Sequence, residues 1–303
     1  MKRKKLLFVF NPYSGKAQIK NHLLDIVDTM VKADYEVTIY PTQKAGDAKE
    51  KVEVEAGDYD LIVCSGGDGT LDETVTGMMN REQKIPLGYI PAGSTNDFAT
   101  SLGIPKDMVK AANVAVNGNA FPCDIGSFNG DFFVYVAAFG LFTEVSYKTS
   151  QDLKNVLGHA AYLLEGAKCL HDIPAYRMQV EYNGYVIQDE FIYGMISNST
   201  SVGGFKGMTG KDVLLDDGVF EVTLIKKPRN PIELNEIIAS LINLVDDTNM
   251  VYSFKTQSVK FTAKQAIPWT LDGEFGGEHI EVCVENCKQS VEIMVEKTEI
   301  VTQ

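Results

Sequence analysis

Three glycine-bearing segments, each following an apolar run, hold the residue types that could bind phosphate. The most informative is Leu61-Ile62-Val63-Cys64-Ser65-Gly66-Gly67-Asp68-Gly69-Thr70. Its glycines remove side chains where a polyanion must approach backbone N–H groups. A helix starting at Thr70 would add oriented donors and a partial positive charge. Asp68 is unexpected there, because a carboxylate repels phosphate. A bound Mg²⁺ or a part in catalysis would resolve the conflict. The alternative is a tight strand-to-helix turn with Asp68 as its cap. The second segment, Asn11-Pro12-Tyr13-Ser14-Gly15-Lys16, holds Ser-Gly-Lys but lacks the upstream glycine of a Walker A loop. It can still offer N–H groups and one cation. The third, Pro91-Ala92-Gly93-Ser94-Thr95-Asn96-Asp97-Phe98-Ala99, carries hydroxyls suited to phosphate or ribose. It also reads as a helix start capped by Ser94 or Thr95.

Two later segments place carboxylates beside glycine. Trp269-Thr270-Leu271-Asp272-Gly273-Glu274 closes a strand, with Asp-Gly equally an ordinary turn. In Leu214-Leu215-Asp216-Asp217-Gly218-Val219 a carboxylate flanked by backbone carbonyls could hold a hard cation.

The elements that must position these residues differ between the two parts of the chain. Up to about residue 124, strands at Lys5–Asn11, Tyr35–Tyr40, Leu61–Ser65 and Pro86–Ile90 alternate with helices at Ile19–Lys32, Asp47–Glu55, Thr70–Met79 and Asn96–Leu102. That order predicts an α/β domain, a parallel sheet with helices on both faces. The glycine turns then fall at the carboxyl ends of strands, where such sheets bind ligands. From 125 to 287 strand patterns dominate: Phe132–Ala138, Met178–Tyr182, Val186–Ser197, Val219–Ile225, Val259–Ala263, Trp269–Leu271 and His279–Val284. Asn183-Gly184 marks a hairpin, and helices are expected at Leu153–His171 and Ile232–Leu244. The helix at 153–171 has an apolar face that reads as core packing or as the wall of a hydrophobic cleft. This second domain is predicted to be mainly antiparallel β, and a last strand at Val291–Val295, within residues 288–303, is a candidate to complete the first.

Composition excludes several classes. The 303 residues carry a net charge of −13, which disfavours nucleic-acid binding. No apolar run reaches the roughly 18 residues that span a bilayer, and Leu6–Phe10 is too short for a signal-peptide core. A cytoplasmic protein with reduced thiols is expected, since the cysteines (64, 123, 169, 283 and 287) form no paired framework. The histidines show no zinc-ligand spacing.

Taken in order, the motifs resemble the bacterial diacylglycerol kinase-like lipid kinases, relatives of sphingosine and ceramide kinases. Asn-Pro-x-Ser-Gly-Lys is followed by Gly-Gly-Asp-Gly-Thr-Leu, then by Pro-x-Gly-Ser-x-Asn-Asp-Phe-Ala. Asp124–Gly126, Asp216–Gly218 and Leu271–Glu274 complete the set. The resemblance implies a nucleotide domain (1–124), a lipid-substrate domain (125–287) and an active site in the cleft between them. ATP would lie on Asn11, Pro12, Tyr13, Ser14 and Gly15, and on Gly66, Gly67, Asp68, Gly69, Thr70, Leu71 and Asp72, with Thr42 and Thr95 nearby. Asp68, with Asp97 and Asp124, would serve the Mg²⁺–phosphate network. A structural Mg²⁺ would take Asp217 and the carbonyls of Leu214 and Val219. Glu274 would be the general base, with Asp272 beside it. Family members usually carry Asn where this chain has Asp72, which adds negative charge near the phosphates.

The implied reaction moves the γ-phosphoryl of ATP to a lipid hydroxyl, diacylglycerol giving phosphatidic acid. The resemblance also implies transient peripheral contact with the inner face of the membrane and a homodimer. The alternatives are a kinase of a soluble acceptor such as NAD, which shares the Gly-Gly-Asp-Gly turn, and a non-catalytic nucleotide- or lipid-binding protein.

Overall fold

The computed structural model describes residues 3–94, 96–141, 174–202, 205–206, 213–243 and 248–297. They gather into two compact units, Met1–Asp124 with Gln289–Gln303, and Ile125–Lys288.

The first unit contains β1 (Lys4–Phe10), α1 (Ile19–Lys32), β2 (Tyr35–Pro41), α2 (Asp47–Glu55), a 3-10 turn at Ala56–Asp58, β3 (Leu61–Gly66), α3 (Asp68–Met79), β4 (Leu87–Pro91), α4 (Asp97–Ser101) and α5 (Met108–Asn117). The chain leaves it along β5 (Asn119–Phe128). The second unit adds β6 (Asp131–Phe133), β7 (Val136–Gly140), β8 (Tyr176–Tyr182), β9 (Tyr185–Ser197), β10 (Ser201–Val202), β11 (Phe205–Lys206), β12 (Phe220–Lys226), α6 (Pro231–Asn243), β13 (Val251–Thr256), β14 (Ser258–Leu271) and β15 (Glu274–Val295). The end of β15 belongs to the first unit.

In the first unit β1 pairs in parallel with β2 and with β3, and β3 pairs in parallel with β4. Ile293 of β15 pairs in parallel with Leu87 of β4. Every residue of β3 and β4 is buried, whereas no residue of β2 is fully so. The unbroken buried run Leu6–Phe10 is what a strand covered on both faces requires. α1 turns Ile19, Ile26 and Met30 inward; each contributes roughly 1.5–3 kcal/mol by burial. It ends where Asp34 takes a left-handed φ of 67°. α5 is an element not expected from the sequence. Its start is capped by Asp107, whose Oδ1 accepts the Lys110 N–H at 2.9 Å, and it packs close on β4: a Cβ on Gly88 would lie 2.5 Å from that of Ala115.

The second unit is mainly antiparallel, in the order β13-β12-β9-β7-β14-β15, with β8 pairing both β9 and β14. Asn183-Gly184 forms the expected two-residue hairpin, with φ of 47° and 80° and Tyr182 opposite Tyr185. Trp269 centres the core, its ring 4.8 to 5.2 Å from those of Phe139, Phe128 and Phe261.

Three strand boundaries differ from expectation. The run 132–138 is two strands, because the N–H groups of Val134, Tyr135 and Val136 turn to a carboxylate instead of a ladder. The segments 259–263 and 269–271 belong to one strand, β14, whose register shifts between Thr262 and Ile267; the exposed Lys264, Gln265 and Ala266 lie in that irregularity rather than in a turn. The segments 279–284 and 291–295 are likewise one strand, β15. The helix expected at 153–171 lies outside the described residues.

Candidate active site

The three glycine turns of the first unit meet. β1 ends at Phe10, and the Asn11 N–H then donates to Ser65 O at 2.9 Å. Asn11 Oδ1 accepts the Tyr13 N–H at 2.9 Å, which curls the first turn. Ser14 Oγ then accepts the Gly67 N–H at 3.2 Å and ties the first turn to the second. The Ala92 N–H donates to Gly66 O at 2.8 Å and ties the third to the second. Gly15 closes the ring: its φ is +55°, and a Cβ there would lie 2.2 Å from Ala92 O. Gly93 is equally constrained, since its Cβ would lie 2.7 Å from Gly67 Cα.

α3 starts at Asp68, two residues earlier than the sequence suggests, with Gly67 as an N-cap that brings no side-chain cap. Its first turn therefore presents N–H donors and the positive end of the helix dipole beside the glycines. Asp68 is the first residue of this helix, and its carboxylate reaches another turn. Its Oδ2 accepts the Asn96 N–H of the third turn at 3.2 Å. Asn96 itself, not Ser94, is the N-cap of α4, in a left-handed conformation with φ 53°. Asn tolerates that region because its short amide bonds locally. Here Asn96 Oδ1 accepts the Gly93 N–H at 2.9 Å, and its Nδ2 donates to Gly93 O at 2.8 Å.

Beneath the turns lies Tyr89, 1% exposed. Its hydroxyl is 3.2 Å from Gly66 O and 3.4 Å from Asn96 Oδ1. Burial, helped by the Asp68 carboxylate, pushes this phenol well above its usual pKa. Burial likewise pushes the Cys64 thiol up to about 12. Neither Tyr89 nor Asn96 stood out in the sequence as a site residue. The available signal was an Asn following Pro-Ala-Gly-Ser-Thr, where a left-handed residue ends the turn.

The other expected residues of this unit are placed as follows. Thr42 is buried just past β2 and donates its N–H to Phe10 O at 2.9 Å. Thr70 and Leu71 are buried in α3, and Asp72 is half-buried in the same helix. Asp97 is buried at the first residue of α4. Asp124 is buried on β5, and its Oδ1 accepts the Gln289 N–H at 2.7 Å. Thr95 lies outside the described residues.

In the second unit Asp272 and Gly273 make a two-residue turn with φ of 50° and 88°, placing Leu271 opposite Glu274. Asp272 is 5% exposed. Its Oδ2 accepts the Val134 N–H at 2.6 Å, and its Oδ1 accepts those of Tyr135 at 3.0 Å and Val136 at 2.9 Å. Glu274 is exposed on the first residue of β15. The buried aspartate thus anchors the turn from which the exposed glutamate projects. In the 214–219 loop, Leu214 is exposed and Asp217 Oδ1 accepts the Val219 N–H at 3.1 Å. Among the described residues no three His, Cys, Asp or Glu side chains group as metal ligands, and no helix is long and apolar enough to cross a membrane.

Comparison with known proteins agrees with these motifs. A family model for the diacylglycerol kinase catalytic domain matches residues 5–128. The diacylglycerol kinase of Staphylococcus carnosus (strain TM300) is 35% identical over 99% of each chain. That of Bacillus subtilis (strain 168) is 36% identical over 91% of each. Among solved structures, a Bacillus anthracis str. Sterne protein provisionally assigned as a diacylglycerol kinase superposes with a TM-score of 0.81, at 25% identity over 98% of each chain. With such similarity along its whole length, this chain belongs to the diacylglycerol kinase family.

Proposed function

We propose that the protein is an ATP-dependent lipid kinase that transfers the γ-phosphoryl group to the hydroxyl of diacylglycerol, giving phosphatidic acid. The observation that carries this reading is the convergence of the three turns on the glycine N-cap of α3, in a chain of this family. Backbone N–H groups and a helix N-terminus are suited to the phosphates of ATP. Asn11–Gly15, Gly66–Asp72, Thr42 and Thr95 are the residues proposed to hold the nucleotide.

The donor set also fits Mg²⁺. Asp68 brings a carboxylate to a place built for anions, and a cation reconciles the two. Asp68, Asp97 and Asp124 would serve the ion on the phosphates, and Asp217 with the carbonyls of Leu214 and Val219 a structural one; both sets are hard oxygens. When bound, the ion offsets negative charge on the phosphoryl oxygens.

The chain's own residues do the rest. The turns hold the triphosphate for in-line displacement, in which the lipid oxygen bonds to the γ-phosphorus as the bond to the ADP oxygen breaks. Glu274 takes the hydroxyl proton as that bond forms. Asp272 holds the turn that carries Glu274. Because the acceptor resides in a bilayer, we extend the reading to transient peripheral contact with the inner face of the membrane. A homodimer is proposed on family resemblance alone.

The test is a panel of acceptors with γ-labelled ATP: diacylglycerol, phosphatidylglycerol and NAD. Label should enter a chloroform-soluble product with diacylglycerol, and Asp68→Ala and Glu274→Gln should each abolish most of it. Label entering NAD instead would overturn the proposal.

A further inference from the structure

α2 begins without a cap of its own. Its N-cap is Gly46, which has no side chain and a φ of 84°. The cap comes from another helix. Glu73 of α3 accepts the Gly46 N–H on Oε1 at 2.7 Å and the Ala48 N–H on Oε2 at 3.1 Å. Asp47, the first residue of α2, reaches the other way. Its Oδ2 accepts the N–H groups of Gln43 at 2.6 Å and Lys44 at 3.1 Å. The loop between Thr42 and α2 is therefore held at both ends by carboxylates.

One turn further along α3, Gly77 lies on the same face as Glu73. A Cβ there would lie 2.5 Å from Lys49 O of α2, so the two helices are in backbone contact as well. α3 starts at the Gly66–Gly69 turn, and Thr42 sits beside Phe10 at the foot of the first turn. A short, stiff path thus runs from the phosphate turn through α3 and Glu73 to the loop that carries Thr42.

We infer that Glu73 is a positioning residue for the nucleotide. It sets the Thr42 loop at a fixed distance from the phosphate turn, so that a nucleoside triphosphate engages both at once. The inference rests on the proposal above that Thr42 lies at the nucleotide.

The full chain is titrated calorimetrically with ATP and with inorganic tripolyphosphate, which carries the phosphates without the nucleoside. Native protein, Glu73→Gln and Thr42→Ala are compared. Glu73→Gln keeps the size but turns one acceptor into a donor facing an N–H. It should weaken ATP about tenfold, the worth of one charge-assisted hydrogen bond, and leave tripolyphosphate nearly unchanged. A general loosening of the fold would weaken both ligands alike, and that outcome overturns the inference, as does no change in either. If Thr42→Ala binds ATP like native protein, the nucleotide does not use that loop, and both the Thr42 assignment and this inference fail. If Thr42→Ala weakens ATP and Glu73→Gln does not, the inference alone fails. Should Glu73→Gln not fold, Glu73→Asp, which keeps the charge and shortens the reach, is read by the same ratio.

Discussion

Replacing Asp272 by Asn separates anchoring from chemistry at the residue next to the proposed base. The native carboxylate, 5% exposed, takes one N–H on Oδ2 and two on Oδ1. Asn can keep its oxygen toward Tyr135 and Val136, but its amide then faces the Val134 N–H, donor against donor. A buried N–H left without an acceptor costs about 1–3 kcal/mol, and two hydrogen bonds that lose their charge give up roughly 1 kcal/mol each, so the total is about 3–5 kcal/mol. The backbone should tolerate the change, because Asn accepts the left-handed φ of 50° as readily as Asp. A loss of that size is a large share of a typical stability of about 5–15 kcal/mol. The chain's single tryptophan, Trp269, is buried in the same unit. Its fluorescence during urea unfolding therefore reports on this substitution directly. The expected result is a large fall in the Trp269 midpoint, with the folded fraction still turning over. Glu274→Gln should do the reverse: no shift in midpoint, because Glu274 is exposed, and turnover down about 10²–10⁴-fold. If Asp272→Asn unfolds like native protein and is as inactive as Glu274→Gln, the anchoring argument is wrong and Asp272 takes part in the chemistry.

Two further outcomes concern the packing of the glycine turns and the buried titratable groups. Gly15→Ala forces a side chain into a left-handed residue and against Ala92 O; ATP affinity should fall about tenfold or more, and a native-like calorimetric titration would refute the packing of the first turn on the third. Stability should also depend on alkaline pH. Burial raises the Cys64 thiol from 9.0 to about 12 and raises the phenols of Tyr89 and Tyr193. The unfolded chain then loses these protons first, so stability holds below about pH 9 and falls as pH rises toward 12, by about 1.4 kcal/mol per unit for each such group. Urea midpoints at pH 8, 10 and 11 check this, and Cys64→Ala should flatten the slope by one group.

The parts of the site built from local chemistry were readable in the sequence. Gly-Gly-Asp-Gly after an apolar run implies a turn, a helix start and room for an anion, and α1 and α2 begin and end where periodicity places them. Contacts across long sequence separations were not readable. Val134 and Tyr135 look like strand residues, and only the carboxylate of Asp272 takes them out of the ladder. Asp68 looks like a cap for its own helix, yet it serves Asn96 in another turn. Glu73 resembles any helix-surface glutamate until α2 is found to start on a glycine. Lys264-Gln265-Ala266 lacks the β-branched and aromatic residues of the runs on either side, but cross-strand pairing on both sides keeps it within β14. In each case the deciding partner is remote in the chain, and composition and spacing carry no trace of it.

The parallel pairing of Ile293 with Leu87 has a consequence for synthesis on the ribosome. The strand segment that flanks β4 emerges only after the whole of the second unit has been made. Until then β4 offers an open edge with unpaired N–H and C=O groups, a template for association with other nascent chains. The first unit therefore cannot finish as the ribosome delivers it, although amino-terminal domains ordinarily fold first. Asp124 and Gln289, joined by a 2.7 Å hydrogen bond, mark the points where the insertion starts and stops.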